Sequence, residues 1–405
     1  MDRFPMGFWN YCTTEEAKCC FVKDWDDAGM TLTLSPEFDS QKDNIDIIKK
    51  TLDDAQRYGI RIILCDKRSH WRTLTEEGEE KYRNGMMQAI KYFGNHPAIF
   101  GFHVGDEPDV NEFEDCCKAI RIQKEVGPKL IPFCNLLPWH KNCETRVGFQ
   151  KWADYLDAYI EKAKPPFLCY DCYSQMLPGT EGFEMYFINL REYGAAARRH
   201  NLTFWTTLLS VGHFRYRCPK EDDLRWQLNT ALAHGAKGLL WFFFYMRKPH
   251  ENYRVAPVDE HWERTETFEW LSRINRTFLK TIAPVMNNLT LKNVTHFGKV
   301  WGGFKEFDGS GLVKSLSSSH TPLIVSEFIH TDGKEYIAVT NNSQTDSTSV
   351  KIQVKGKKLY QTGWMGKEEP VIRGDGWEAT STGDYVEIRP WLCPGQMAVY
   401  RVENE

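Results

Sequence analysis

Asp106 and Glu107 are adjacent acids that follow the apolar run Ala98-Ile99-Phe100-Gly101-Phe102-His103-Val104-Gly105 and precede Pro108. The run has the length of a buried strand. Pro108 cannot donate to a ladder, so the strand should end where the carboxylates emerge. Like charges this close raise at least one pKa, which suits a carboxylic acid that must give up a proton near neutral pH. Gly101 and Gly105 leave room beside the strand for a close neighbour or a ligand. The competing reading is a solvated acidic loop, since Asp109, Glu112 and Glu114 follow closely.

The surrounding elements favour chemistry. Apolar segments at 4–11, 30–34, 60–65, 98–105, 130–135, 167–173, 202–209 and 239–245 alternate with stretches of helical period. Ile45, Ile48, Leu52 and Ala55 mark one such helix, and Gly59 ends it. Ala17, Cys20, Phe21 and Trp25 mark another. Eight strand–helix units predict an α/β fold, a (β/α)8 TIM barrel over residues 1–289, whose chemistry sits at the C-terminal ends of its strands. No Gly-rich dinucleotide fingerprint and no phosphate loop interrupts the turns. After about residue 290 the texture changes. Short alternating segments at 323–328, 336–340, 350–354, 385–388 and 397–402 are separated by Asp-Gly, Asn-Asn, Gly-Lys and Pro-Gly turns. They predict an all-β sandwich over 290–405. Its expected role is to brace the barrel, with Trp364, Trp377 and Trp391 as aromatic groups able to meet a sugar.

The strand ends supply a short set of polar groups. Glu37 and Asp39 follow the second strand, Asp66, Lys67 and Arg68 the third, Asp106 and Glu107 the fourth. Asn135 and Trp139 follow the fifth, Tyr170, Asp171 and Tyr173 the sixth, and Thr207, Ser210 and His213 the seventh. Trp241 and Tyr245 lie on the eighth. Carboxylates, amides and aromatics converging on one cup are what glycosidic cleavage requires. One acid protonates the leaving oxygen, a second group handles the anomeric carbon, and aromatic rings position the sugar. Glu37, Asp66, Asn135, Trp139, Tyr170, Tyr173, Trp241 and Tyr245 are the expected substrate-binding residues.

On these residues the chain resembles the large superfamily of TIM-barrel glycoside hydrolases that includes family 42 β-galactosidases and cellulases. The resemblance rests on Gly105-Asp106-Glu107-Pro108, on Tyr170-Asp171-Cys172-Tyr173, on Ala233-His234-Gly235-Ala236-Lys237-Gly238 before the eighth strand, and on a sandwich after the barrel. It implies Glu107 as general acid/base. One departure matters. Such enzymes normally end strand seven on a nucleophilic glutamate, and residues 202–212 contain no carboxylate. An Asp-Glu pair with that gap is similar to substrate-assisted β-N-acetylhexosaminidases, in which the substrate's acetamido oxygen attacks the anomeric carbon. That likeness implies Asp106 as the polarising group and Glu107 as the acid, with Tyr173 or Tyr245 bonded to the acetamido oxygen. Two alternatives stay open. Asp171 or Asp66 would act as the second carboxylate on plain β-hexosides, a separation of about 5–5.5 Å implying retention and about 6.5–9.5 Å inversion. Or the barrel binds carbohydrate without catalysis.

Composition bounds the rest. At 41% hydrophobic and 14% aromatic the chain can bury a large core, and a net charge of −4 excludes a strongly basic nucleic-acid binder. No run of about 18 apolar residues spans a membrane. The first strand begins near residue 4, so a cytoplasmic location is expected, and the five Asn-X-Ser/Thr triplets are discounted as chance. The twelve cysteines fall mostly inside predicted elements, including Cys19-Cys20 and Cys116-Cys117, as reduced core thiols do. Cys169 and Cys172 have metal-like spacing, but no His cluster completes a site, so neither metal nor cofactor is expected. Lys67-Arg68 would either bind an anionic sugar or pair with nearby acids. His103 would serve as a core or supporting histidine. A carbohydrate substrate is the expected partner, and the sequence leaves the oligomeric state open.

Overall fold

A computed structural model describes residues 3–19, 21–247, 252–371 and 380–404. Its first part contains β1 (Met6–Phe8), β2 (Leu32–Leu34), β3 (Arg61–Leu64), β4 (Ile99–Asp106), β5 (Ile131–Asn135), β6 (Leu168–Asp171), β7 (Phe204–Leu209) and β8 (Leu239–Phe242). Each lies inside the apolar segment expected for it, except that β4 runs one residue further, to Asp106. Around them run α1 (Val22–Asp27), α2 (Ile45–Arg57), α3 (Trp71–Glu77), α4 (Glu79–Phe93), α5 (Phe113–Val126) and α6 (Glu144–Val147). The series continues with α7 (Trp152–Ala163), α8 (Phe183–Arg199), α9 (Glu221–Ala233), α10 (Glu266–Thr281) and α11 (Ala283–Met286). The strands form two parallel sheets, ordered β1-β8-β7-β6 and β2-β3-β4-β5. The sheets adjoin at both edges: Thr31 N donates to Met6 O and Leu136 N to Cys169 O, each across 2.8 Å.

Strand periodicity of two sorts the side chains. Leu32, Leu34, Ile63, Phe133, Cys169, Trp205 and Leu240 share one buried cluster, while their neighbours Ile62, Leu64, Leu168, Tyr170, Phe204 and Trp241 pack in the cluster under the helices. Burial on both faces is why these strands read as near-continuous apolar runs. The helices follow the same logic. In α2, Ile48, Leu52 and Ala55 are buried on one stripe, and Asn44 caps the first turn by accepting from Asp46 N at 2.9 Å. Phe21, expected on a buried stripe, is instead 58% exposed. Cys20 lies outside the described residues.

The second part is all-β. It comprises β9 (Leu289–Phe297), β10 (Lys305–Glu306), β11 (Val313–Ser318), β12 (Leu323–His330), β13 (Glu335–Asn341) and β14 (Thr348–Lys355). Then follow β15 (Lys358–Thr362), β16 (Glu368–Pro370), β17 (Thr380–Thr382), β18 (Tyr385–Ile388), β19 (Trp391–Leu392) and β20 (Met397–Glu403). One sheet is ordered β10-β9-β12-β13-β20-β15-β16, the other β11-β14-β18-β17. Val325, Val339 and Tyr400 from the first meet Val350, Ile352 and Val386 from the second in a single apolar core. The opposite face of the larger sheet, carrying Ile324, Phe328, Ala338 and Val399, joins the core beneath the helices. Trp364 and Trp391 are exposed, whereas Trp377 lies outside the described residues. Among the described residues no helix is long and apolar enough to cross a membrane.

Polar contacts fasten the larger sheet to α9. Trp226 Nε1 donates to Asn342 Oδ1 at 2.9 Å, Asn229 Nδ2 to Gly395 O at 2.8 Å, and Ser326 Oγ to Ala233 O at 2.7 Å. Beside them, buried His234 and His296 meet Nε2 to Nε2 at 3.1 Å. The tautomers follow from the other ring nitrogens. His234 Nδ1 lies 2.7 Å from the Thr230 carbonyl and carries the proton, while His296 Nδ1 accepts from Trp301 N at 3.3 Å. His296 Nε2–H therefore donates to His234 Nε2, and both rings are neutral.

Burial, with Arg198 nearby, holds His234 down to about 4. Burial beside His234 holds His296 down to about 2. Both values lie below the ordinary 6.5, so the unfolded chain takes up these protons first, and stability is lost as pH falls from about 6.5 through 4. Urea unfolding at pH 7 and pH 4.5 should show this loss. Replacing both histidines by Gln should shrink the difference between the two pH values by at least about 2 kcal/mol.

Candidate active site

β4 brings its acids to the strand end over an unusual backbone. Gly105 has φ +150°, and a Cβ there would stand 1.9 Å from the Trp71 ring. A Cβ on Gly101 would meet Ile131 O at 1.8 Å, so protein, not ligand, fills the room beside both glycines. The chain then turns at Glu107, a non-glycine residue at φ 49°, whose N–H donates to Asn135 O at 2.9 Å. This turn separates the two carboxylates. Asp106 joins the wall of a cavity. Glu107 Oε2 accepts from Arg146 Nη2 at 2.9 Å. Arg146 lies on α6, whose position is fixed by Val110 N donating to Arg146 O at 2.8 Å.

Asn135, buried at the end of β5, links the neighbouring strand ends. Its Nδ2 donates to Asp106 Oδ1 at 3.0 Å and to Asp171 Oδ1 at 2.8 Å. The Cys169 thiol donates to Asn135 Oδ1 at 3.4 Å, fixing the amide's orientation. The Tyr173 hydroxyl bonds to Asp171. Asp106 is crowded by protein on the floor of a cup that solvent still enters. That crowding and the charge of Glu107 push it up to about 7, against the pull of Asn135 and Arg146. Burial, then Glu107 and Asp106, push Asp171 well above the usual carboxylate range. The surroundings raise the proton affinity of Asp106, the group expected to stay charged. Proton affinity rises on the two aspartates that share Asn135, and Glu107 faces a guanidinium.

The cavity has a volume of about 530 Å³, and its wall includes Trp9, Asn10, Tyr11, Glu37, Asp66, His103 and Asp106. Trp9, Asn10 and Tyr11 follow β1, the one strand end the sequence reading left out. Their signal was present in the alternation aromatic–amide–aromatic directly after an apolar strand. Arg146 had no such signal, since only the fold returns α6 to β4. Asp66 reaches the wall with both oxygens engaged by Arg68, at 2.9 and 2.6 Å. Lys67 pairs with Asp39 at 3.3 Å. These two cations are therefore used internally and form no anion site.

Three expected substrate-binding residues are placed elsewhere. Tyr170 stacks on Tyr193 of α8 at 3.9 Å, and Trp241 Nε1 donates to Asn275 of α10 at 3.3 Å. Both occupy the helix-facing parity of their strands. β8 ends at Phe242, so Tyr245 lies beyond it, and its hydroxyl accepts from Trp25 Nε1 of α1 at 2.6 Å. Trp139 is half-buried, and its backbone N donates to Asn189 of α8 at 2.7 Å. No carboxylate ends β7: Thr207 accepts from Trp9 Nε1 at 3.2 Å, and Ser210 donates to Phe243 O at 2.8 Å. Cys169 and Cys172 have different neighbours, Asn135 and Ser174. Among the described residues no group of three or more His, Cys, Asp or Glu is placed to hold a metal ion.

A carboxylate whose folded pKa lies above its unfolded value costs stability as pH rises through that window. Asp106→Asn should therefore melt at a higher temperature than the parent chain at pH 8, with the advantage shrinking towards pH 4. Thermal denaturation followed by circular dichroism at both pH values checks this. Equal melting temperatures at pH 8 would contradict the raised proton affinity of Asp106.

No known protein family and no curated protein matches the chain. Solved structures do resemble it. A family 39 glycoside hydrolase from the gut symbiont Bacteroides cellulosilyticus WH2 superposes with a TM-score of 0.55 at 13% identity, over 99% of this chain and 81% of that one. A family 5 glycoside hydrolase from Bacteroides vulgatus superposes with a TM-score of 0.55 at 10% identity, over 99% and 89%. A further glycoside hydrolase gives 0.54 at 10% identity, over 99% and 93%. At these identities the likeness is one of fold, and it spans nearly the whole chain.

Proposed function

We propose that the chain is a glycoside hydrolase, built as a closed (β/α)8 barrel over residues 1–289 and a β-sandwich over 290–405. One observation carries the reading. Asp106, Glu107 and Asp171 gather at adjoining strand ends beside an aromatic-lined cavity, two of them with raised proton affinity and the third facing Arg146. A carboxylic acid and a charged carboxylate on one site are the two groups glycosidic cleavage needs. The glycoside hydrolases that share its fold support the same reading.

Asp106 faces the cavity and is the proton donor to the leaving oxygen. As the C–O bond breaks, positive charge grows on the anomeric carbon and ring oxygen. Glu107 stabilises that charge and takes the proton of the incoming water. Asp171 acts through Asn135, its charge state setting how tightly Asp106 holds its proton. The missing carboxylate on β7 favours one second reading, substrate assistance. There Asp106 is ionised against the N–H of a 2-acetamido group and Glu107 is the acid, as the likeness to β-N-acetylhexosaminidases implies.

Aryl hexosides with and without the 2-acetamido group separate the two readings. Cleavage of the plain hexosides is expected, and activity confined to 2-acetamido sugars would establish substrate assistance. Asp106→Asn should lower kcat ~10²–10⁴-fold on poor leaving groups and less on nitrophenyl glycosides, because only the former need the proton. If Glu107→Gln shows that leaving-group dependence instead, Glu107 is the acid. For Asp106 as acid, kcat/KM should decline as pH rises above about 7. Asn135→Ala removes a donor that favours the charged form, so this alkaline limb should move to higher pH. Sugar binding without cleavage of any glycoside would leave a carbohydrate-binding barrel.

A further inference from the structure

We propose that the cavity is a hydrogen-bond-acceptor subsite for an uncharged or cationic sugar unit, and that Glu37 is the residue that excludes anionic sugars. This rests on the glycosidase reading of the same site and adds its substrate class.

Most of the valences left open on the cavity wall are acceptors, with Asn10 Nδ2 as one unpartnered donor among them. Glu37 is anchored by its backbone, its N–H donating to Cys12 O at 2.9 Å beside a bridge to Thr13. Its side chain is exposed in the wall, and among the described residues its carboxylate has no hydrogen-bond or ion-pair partner. His103 contributes a second acceptor. Its ring donates to the Gly105 carbonyl, and its Nε2 is buried without a partner. A buried acceptor left unmade costs free energy until a ligand donor reaches it. Asp106 is the third.

The cations near the wall are committed. Lys67 is held by Asp39 and Arg68 by Asp66. Asp43 is likewise engaged, accepting from Thr14 Oγ1 at 2.8 Å. Arg247 is a further guanidinium, and its charge partly offsets the burial that raises the proton affinity of Glu37. It lies 4.2 Å over the Tyr11 ring, donates to the Tyr253 hydroxyl at 3.3 Å and is not part of the wall. A uronate or sulfate entering the cavity would meet the carboxylates of Glu37 and Asp106, while Lys67 on the wall is paired with Asp39 and Arg247 already acts on Glu37. Hydroxyl and ammonium groups would instead donate to the exposed carboxylates of Glu37 and Asp106.

Equilibrium binding of methyl β-glucoside, its 2-amino-2-deoxy analogue and methyl β-glucuronide, read by NMR titration at pH 7.5, tests this without turnover. The glucuronide should bind at least about tenfold more weakly than the other two, as like-charge juxtaposition requires. Glu37→Gln should narrow that gap and weaken the amino sugar, each by roughly fivefold or more. Glucuronide binding equal to or tighter than the glucoside, with Arg247→Ala abolishing it, would overturn the proposal in favour of an anion site. Unchanged ratios in Glu37→Gln, or no sugar bound at all, would also overturn it. The expected binding order without hydrolysis of any aryl glycoside would keep the subsite and remove the chemistry.

Discussion

A single amide group holds two carboxylates together. Asn135 Nδ2 donates to Asp106 at 3.0 Å and to Asp171 at 2.8 Å. Burial and the neighbouring charge of Glu107 make both carboxylates costly to ionise, and one neutral donor offsets only part of that cost. The remainder is borne by the fold. β4, β5 and β6 fix the three backbones, Tyr173 braces Asp171, and the Cys169 thiol orients the amide. The same frustration gives the site its protons near neutral pH. Folding stability and proton supply are therefore opposed in these residues, as active sites commonly require.

The backbone at the end of β4 serves the same purpose. In a regular strand Asp106 and Glu107 would point to opposite faces, one into the cup and one into the helical layer. The left-handed turn at Glu107 sends its carboxylate to Arg146 instead of burying it unpaired. Trp71, packed where Gly105 lacks a side chain, wedges this geometry from below. A strained residue at a strand end is the kind of feature that surrounding structure must over-determine.

How much of this was legible in the sequence follows from the physics of each signal. The eight parallel strands were visible because burial on both faces produces unbroken apolar runs, and the Asp106–Glu107 pair was visible because a proline follows it. Side-chain direction was not. Tyr170 and Trp241 look like mouth residues until the strand ends, at Asp171 and Phe242, fix the parity that turns them towards the helices. The Asn135 bridge was half legible: the residue type and strand end were read, but a contact spanning 29 residues one way and 36 the other has no local trace. β9 and β11 were missed because lysine, serine and threonine on their open faces dilute the apolar alternation. Arg146 was invisible for the opposite reason, being an ordinary exposed arginine until α6 folds back over β4.

The seven-stranded sheet has apolar residues on both faces, one set against the smaller sheet and the other against the helices. Its seam with α9 is stitched by tryptophan, asparagine, serine and histidine contacts whose partners all lie across the boundary. Cutting the chain near residue 289 would strip that face and strand those polar groups at once. Such a seam resists recombination: neither half can be exchanged with a foreign partner unless several buried hydrogen bonds are inherited as a set. Change in this architecture is therefore easier at the loops above the strands than by swapping the part that backs them.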